Sequence, residues 1–218
     1  MKGMLIKDFM LLKNQKQFFV TILVFAFLFF GMYDDTTFAF TYIVVLCTLF
    51  TISTISYDEY DNGMSYLFTL PISRKGYVKE KYVFGIISIC IALIASTVLY
   101  FVFRMAKNQD YGVQELLIQL FTSLMVAMFM LAFSLPIQLK FGAEKSRIAL
   151  LAVFGCIVAM GIIVVKLGES MNLDMGSYLA KVNGMRPQML IAAGILIGIF
   201  AIFISCLISL RIIKKKEF

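Results

Sequence analysis

Six strongly apolar stretches, each separated from the next by a short polar interval, run through this chain. The shortest would form about 24 Å of helix at about 1.5 Å per residue, and the others can cross about 30 Å of hydrocarbon. Hydrophobic residues make up 61% of the 218 residues and charged residues only 15%, which is more apolar surface than a soluble globule can bury. The pattern therefore predicts an all-α integral membrane protein.

We expect one transmembrane domain over residues 1–218, because the sequence offers no linker that would divide it. Six transmembrane helices are expected at about residues 18–33, 38–56, 83–103, 115–139, 148–165 and 188–210.

Lysine and arginine are unevenly distributed between the polar intervals. Fifteen lie in the N-terminal segment, residues 57–82, residues 140–147 and the C-terminal tail, and five lie in the other three intervals. Basic residues favour the cytoplasmic side of a membrane, so both termini and the 57–82 loop are expected there. Residues 1–17 mix lysines with apolar side chains, which suits an interfacial helix, although a simple basic anchor fits the composition too.

The 57–82 loop begins with an acidic group that contains Asp58, Glu59 and Asp61. Carboxylates favour the positive end of the helix dipole, so they are expected where a helix begins. Apolar residues then recur with roughly helical spacing from Gly63 to Leu70, and Pro71 ends this run. A short surface helix is therefore predicted here.

A second helix is predicted directly after Pro71. Ser73 can cap it, and the helix would start near Arg74 and continue without a break into the apolar run at Val83. The loop thus predicts a surface helix followed by a membrane helix.

The sequences DEYDNG, from Asp58 to Gly63, and LPISRKGYVKEKY, from Leu70 to Tyr82, carry a family resemblance. They resemble the loop between spans 2 and 3 of membrane subunits of export-type (type-2) ABC transporters. The nearest likeness is to small bacterial permeases that export phenol-soluble modulins and other amphipathic peptides. In that family the short helix is a coupling helix, which sits in a groove of a separate ATPase subunit.

By this resemblance, eight residues would touch or shape the ATPase contact: Asp58, Glu59, Asp61, Asn62, Gly63, Met64, Leu67 and Leu70. The resemblance also implies that the N-terminal interfacial helix borders the ATPase. On its residues alone, the loop is equally well described as a capped connection that lies on the lipid headgroups.

Small residues in the last two spans indicate close helix packing. Gly155 and Ala159, and Gly194 and Gly198, are each four residues apart, a spacing that lets helices approach closely. They are candidates for packing within one chain or for a dimer contact. Because six spans are few for an exporter, a second copy is expected, with a monomer as the alternative.

Several kinds of chemistry are missing from the sequence. It has no GxxxxGK[ST] phosphate loop, no histidine and no metal-ligand cluster, and its four cysteines all fall in apolar spans. No nucleic-acid motif accompanies the net charge of +7. We therefore expect no catalytic, cofactor or metal site in this chain, and by the resemblance ATP and Mg would belong to the partner ATPase.

These features favour one function and leave another open. The first hypothesis is a permease subunit of an ATP-driven exporter in a bacterial cytoplasmic membrane. Two copies, with two ATPase subunits, would move amphipathic peptides outward and could confer antimicrobial peptide resistance. The alternative is a non-transporting sensor or immunity subunit that binds an ATPase or a peptide. An ion channel is disfavoured because the sequence shows no filter signature.

Overall fold

The structure is a computed structural model that describes residues 2–32, 36–60, 63–107, 112–170 and 187–216. All regular structure in these residues is helical, which confirms the all-α prediction. The seven helices are α1 (Lys2–Asn14), α2 (Lys16–Met32), α3 (Thr37–Glu59), α4 (Gly63–Leu67), α5 (Arg74–Ala106), α6 (Val113–Ser170) and α7 (Pro187–Lys215).

Four helical stretches among the described residues are long and apolar enough to cross a membrane. They are α3, α5, the Val113–Gly142 part of α6, and the Met189–Lys215 part of α7. Helices α1 and α2 meet at a bend of 63°, and together they provide a fifth candidate. The chain is thus a multi-pass membrane protein, and the count of six spans stays a prediction.

Helix α3 lies at the centre of the bundle, where it packs against α2, α5 and α6. In its most apolar window 56% of the residues are buried, against 11% for α7, which packs mainly on α6. The outer side of α7 is therefore free to face lipid.

Helix α6 departs from the sequence prediction at its middle. The expected loop over 140–147 is reduced to a sharp break at Gly142, where two helices meet, because helical geometry continues on both sides of that residue. Good helix formers, Ala143 to Lys145, favour immediate resumption. The break has φ 75° and ψ 178°, a conformation that glycine adopts without steric cost. Pro136 lies inside the helix without breaking it.

The ends of α3 and α5 flank the short helix α4. Helix α3 continues to Glu59, so Asp58 lies in its last turn, and the expectation that Asp58 and Glu59 begin a helix is wrong. Carboxylates are unfavourable at a helix C-terminus and need nearby cations. The start of α5 agrees with prediction, since the Ser73 hydroxyl accepts a hydrogen bond from the Gly76 amide at 3.0 Å.

Candidate functional site: charged clusters around α4

The α4 segment, which we define as residues 63–73, contains helix α4 and the residues that join it to α5. It has one buried and one exposed side. Met64 is buried, and Leu67 and Phe68 are partly buried against the core of the bundle. By contrast, Tyr66 is 71% exposed and Leu70 is 44% exposed. The segment therefore presents an aromatic and an aliphatic side chain away from the bundle while its other side holds it in place.

Close packing fixes α4 against the end of α3. A Cβ at Gly63 would lie 2.8 Å from the carbonyl oxygen of Asp58, so no larger residue fits there without a shift. The ring of Phe68 makes an edge contact with Tyr77 of α5, with centroids 5.9 Å apart. Glycine at position 63 is therefore required by the approach of the two segments.

The predicted contact residues divide into three groups. Asp58 and Met64 are buried, whereas Glu59, Gly63 and Leu67 are half-buried and Leu70 is exposed. Asp61 and Asn62 lie outside the described residues. The fold thus leaves Leu70 accessible and draws Asp58 inward.

Asp58 belongs to a buried ionic cluster, which we define as Lys7, Asp8, Asp58, Tyr77 and Lys81. The Lys81 ammonium lies 2.5 Å from Oδ2 of Asp8 and 2.9 Å from Oδ2 of Asp58. The side chain of Lys81 is 1% exposed and that of Asp8 is 0% exposed. The charges of Lys81 and Asp8 therefore depend on their partners, because water cannot solvate them.

Lys7 and Tyr77 complete this cluster. The Lys7 ammonium donates a hydrogen bond to Asp58 and lies 3.3 Å from Oδ1 of Asp8. The Tyr77 hydroxyl donates to Oδ2 of Asp58 at 3.0 Å. Burial lowers the pKa of Lys7, but the hydrogen bond and charge of Asp58, with those of Asp8, outweigh it and raise the pKa. Lys7 thus acts as a cation between two carboxylates.

The buried ionic cluster joins three helices that are distant in sequence. Lys7 and Asp8 come from α1, Asp58 comes from the end of α3, and Lys81 comes from the start of α5. The α4 segment lies between the last two elements, so both of its ends are tied to α1. Sequence reasoning missed Asp8 altogether, and it treated Lys7 and Lys81 only as basic residues of the cytoplasmic face.

Glu80 is a third buried acid in this region, and it directly precedes Lys81 in the sequence. It is 0% exposed, and neither carboxylate oxygen has a hydrogen-bond partner among the described residues. Burial of an ionised carboxylate without a partner is unfavourable. Burial therefore favours the protonated, neutral form of the Glu80 carboxyl.

A C-terminal clamp, defined as Glu59, Arg74 and Lys216, holds the other side of the α4 segment. Lys216 pairs with Glu59 at 3.0 Å and donates to the carbonyl oxygen of Leu139 at 3.2 Å. Arg74 donates to the carbonyl oxygens of Ile213 at 3.3 Å and Lys216 at 2.8 Å. The last turn of a helix has carbonyls without helical partners, and Arg74 supplies donors to them.

The small residues of α7 pack within the chain. A Cβ at Gly194 would clash with the ring of Phe121, and one at Gly198 would lie 3.0 Å from Met128. At Gly155 a Cβ would meet nothing within 4 Å, and the side chain of Ala159 lies outside the described residues. Gly194 and Gly198 thus let α6 and α7 approach closely.

Acidic and cysteine side chains are the possible metal ligands in the described part of the chain. That part of the chain contains no group of three or more acidic or cysteine side chains that could hold a metal ion. Cys47, Cys90 and Cys206 are free thiols.

Apolar helices that cross the membrane repeatedly, with a short helix held between two charged clusters, define a multi-pass membrane protein with a candidate docking element. A family model described as ABC-2 family transporter protein matches residues 3–214, and the chain belongs to that family. No curated protein and no solved structure matches it. Family membership implies a permease subunit, a membrane transport component that works with an ABC ATPase.

Proposed function

We propose that this chain is the permease subunit of an ATP-driven exporter and that α4 is its coupling helix. The observation that carries this proposal is that α4 is anchored while Tyr66, within it, and Leu70, three residues after its end, are exposed. Apolar anchors of this kind suit a groove on a partner. In this proposal a separate ABC ATPase binds α4, and its movement on ATP hydrolysis is passed to α3 and α5.

The proposed cargo is an amphipathic peptide. Its first support is the likeness of the 58–82 sequence to permeases for phenol-soluble modulins. A further support is an apolar cavity of about 660 Å³ along α6, lined in part by Phe121, Met125, Phe129 and Met130. Flexible methionine and aromatic side chains adapt to apolar surfaces of varied shape, such as one side of an amphipathic helix.

The proposed assembly has two copies of this chain and two ATPase subunits in a bacterial cytoplasmic membrane, with both termini cytoplasmic. ATP and Mg would bind to the ATPase alone, and residues 1–218 would act as one transmembrane domain. The distribution of lysine and arginine supports this orientation. Antimicrobial peptide resistance would follow if host peptides are among the cargo.

Co-purification with a co-expressed ABC ATPase tests the docking role. The test variant is Tyr66→Asp with Leu70→Asp, which changes only exposed side chains and spares the half-buried Leu67. The matched control is Met105→Asp with Val113→Asp, because both residues are 67% exposed and the proposed topology places them on the opposite face. We expect the control to retain the ATPase. The test variant should co-purify with at least about tenfold less ATPase than the unmodified chain.

Retention of the ATPase by the test variant would contradict docking at α4. Release by both variants would indicate loss of the fold rather than of a contact, and a milder change, Leu70→Ser, would then decide. Transport is tested separately by ATP-dependent uptake of a labelled amphipathic peptide into inverted vesicles. ATPase binding without uptake would favour the alternative of a sensor or immunity subunit.

A further inference from the structure

A second cavity lies at the bend between α1 and α2, away from α4. Its volume is about 280 Å³, which is small for a ligand pocket and suits a slender flexible chain rather than a folded peptide. Phe9 and Leu12 of α1, Phe19 of α2 and Phe50 of α3 form much of its wall. We call this cavity the elbow groove.

Two polar side chains lie among these apolar walls. Lys13 lines the elbow groove, is exposed, and forms no ion pair with any described residue. Ser88 of α5 also lines it, and its hydroxyl is buried without a hydrogen-bond partner among the described residues. Elsewhere in α5, the hydroxyls of Ser96 and Thr97 donate to carbonyl oxygens one turn back, at 2.8 Å each.

The position of the elbow groove indicates where it lies in the membrane. Helix α1 carries charged residues and meets the apolar α2 at 63°, as expected where a chain passes from the headgroup layer into hydrocarbon. Lys13 belongs to the last turn of α1, whereas Ser88 lies five residues beyond the start of the apolar run at Val83. The elbow groove therefore runs from the headgroup layer into the adjoining part of the hydrocarbon.

We propose that an anionic phospholipid binds in the elbow groove. Its phosphate lies on the Lys13 ammonium, one acyl chain lies along Phe9, Phe19 and Phe50, and a glycerol ester carbonyl accepts a hydrogen bond from Ser88. This occupant satisfies the unpaired cation, the apolar wall and the unpartnered hydroxyl together. The site is independent of the proposed transport function.

The absence of tryptophan from the sequence permits a direct test in the full-length chain. A single reporter, Phe19→Trp, is reconstituted into vesicles of phosphatidylcholine, and its fluorescence is quenched with brominated phosphatidylglycerol or brominated phosphatidylcholine. We expect a preference of about fivefold for phosphatidylglycerol, from one lysine near the headgroup layer. Phe200→Trp on α7, where Phe200 is 64% exposed, should show no preference.

Two further changes assign the contacts. Lys13→Gln should abolish the preference at Phe19→Trp, whereas Lys2→Gln, a matched change of an exposed lysine on the same helix, should leave it. Ser88→Ala should weaken the binding of both lipids about threefold, which is the change expected from the loss of an average hydrogen bond within a membrane. If Phe19→Trp does not insert, Ile91→Trp reports from the same groove.

Four results would overturn the proposal. Equal quenching by the two lipids would mean ordinary lipid contact, and no quenching by either would mean that protein, such as a second copy, covers the groove. A preference for phosphatidylglycerol that persists in Lys13→Gln would show that the lipid headgroup does not bind to Lys13. Unchanged affinities in Ser88→Ala would contradict the ester contact.

Discussion

Replacement of Lys81 by methionine is the most informative perturbation of the buried ionic cluster. Methionine keeps most of the length and apolar stem of lysine and removes only the charge and its hydrogen bonds. The ammonium lies 2.5 Å from Asp8 and 2.9 Å from Asp58, so its loss leaves two carboxylates with Lys7 as their shared counter-ion. We expect the free energy of unfolding to fall by about 3–5 kcal/mol.

The magnitude follows from burial. An exposed ion pair contributes at most about 1 kcal/mol, but the side chains of Lys81 and Asp8 are 1% and 0% exposed, so an unpaired charge here stays desolvated. The double variant Asp8→Asn with Lys81→Met removes one charge of each sign. It should therefore be more stable than Lys81→Met alone, by at least about 1 kcal/mol.

The assay is reversible unfolding of the full chain in mixed micelles, titrated with dodecyl sulfate and followed by helical circular dichroism. Lys79→Met is the matched control, because Lys79 is exposed two residues earlier on the same helix, and it should change stability by less than about 0.5 kcal/mol. A loss below about 1 kcal/mol in Lys81→Met, or no recovery in the double variant, would refute the reasoning.

Three further predictions use the same unfolding assay or hydrogen exchange. Gly142→Ala should cost about 1–3 kcal/mol, because position 142 has a positive φ that alanine disfavours, whereas Gly155→Ala has open space for its Cβ and should be nearly neutral. Tyr82→Phe should cost about 0.6 kcal/mol, because it removes a hydroxyl bonded to two serines of α7. Arg74→Gln should speed amide exchange in the last turn of α7, whose carbonyls it holds, and Lys75→Gln, an exposed neighbour, should not.

Features set by neighbouring residues could be predicted from the sequence. The capping of α5 by Ser73 is confirmed, because a serine hydroxyl three residues before an amide is a local signal. The passage of α5 from the loop into the membrane is likewise an unbroken helix of 33 residues. The short helix from Gly63 is present, although it ends at Leu67 rather than Leu70.

Pairings between distant residues could not be predicted. Asp8 and Lys81 are 73 residues apart, and Lys7 and Asp58 are 51 apart. Helical periodicity gives the face on which a residue lies but not the helix that it meets. The burial of Asp58 therefore depends on tertiary packing. Only that packing brings the four charged side chains of the cluster together from three helices.

The break in α6 shows a different limit of sequence reasoning. Proline lacks the amide hydrogen that a helix needs, so on sequence alone a break would be expected at Pro136. The break occurs instead at Gly142, where a Cβ would lie 3.3 Å from the Glu59 carboxylate. The positive φ of 75° favours glycine there, and the Glu59 carboxylate at the end of α3 adds a close contact that forms only in the folded chain.

The two charged clusters hold the ends of the α4 segment with different strength. Lys81 and Asp58 have side chains 1% and 6% exposed, whereas those of Lys216 and Glu59 are 28% and 14% exposed. Partly hydrated pairs are easier to separate than buried pairs, which lose several kcal/mol when one partner is removed. A force that an ATPase applies to α4 would therefore separate the Lys216–Glu59 pair, which joins α7 to α3, before the Lys81–Asp58 pair. The contacts of α3 with α1 and α5 would then stay intact longest. In the proposed exporter, α1 would accordingly move with the coupling helix as one body, and the α3–α7 contact would be the joint that opens.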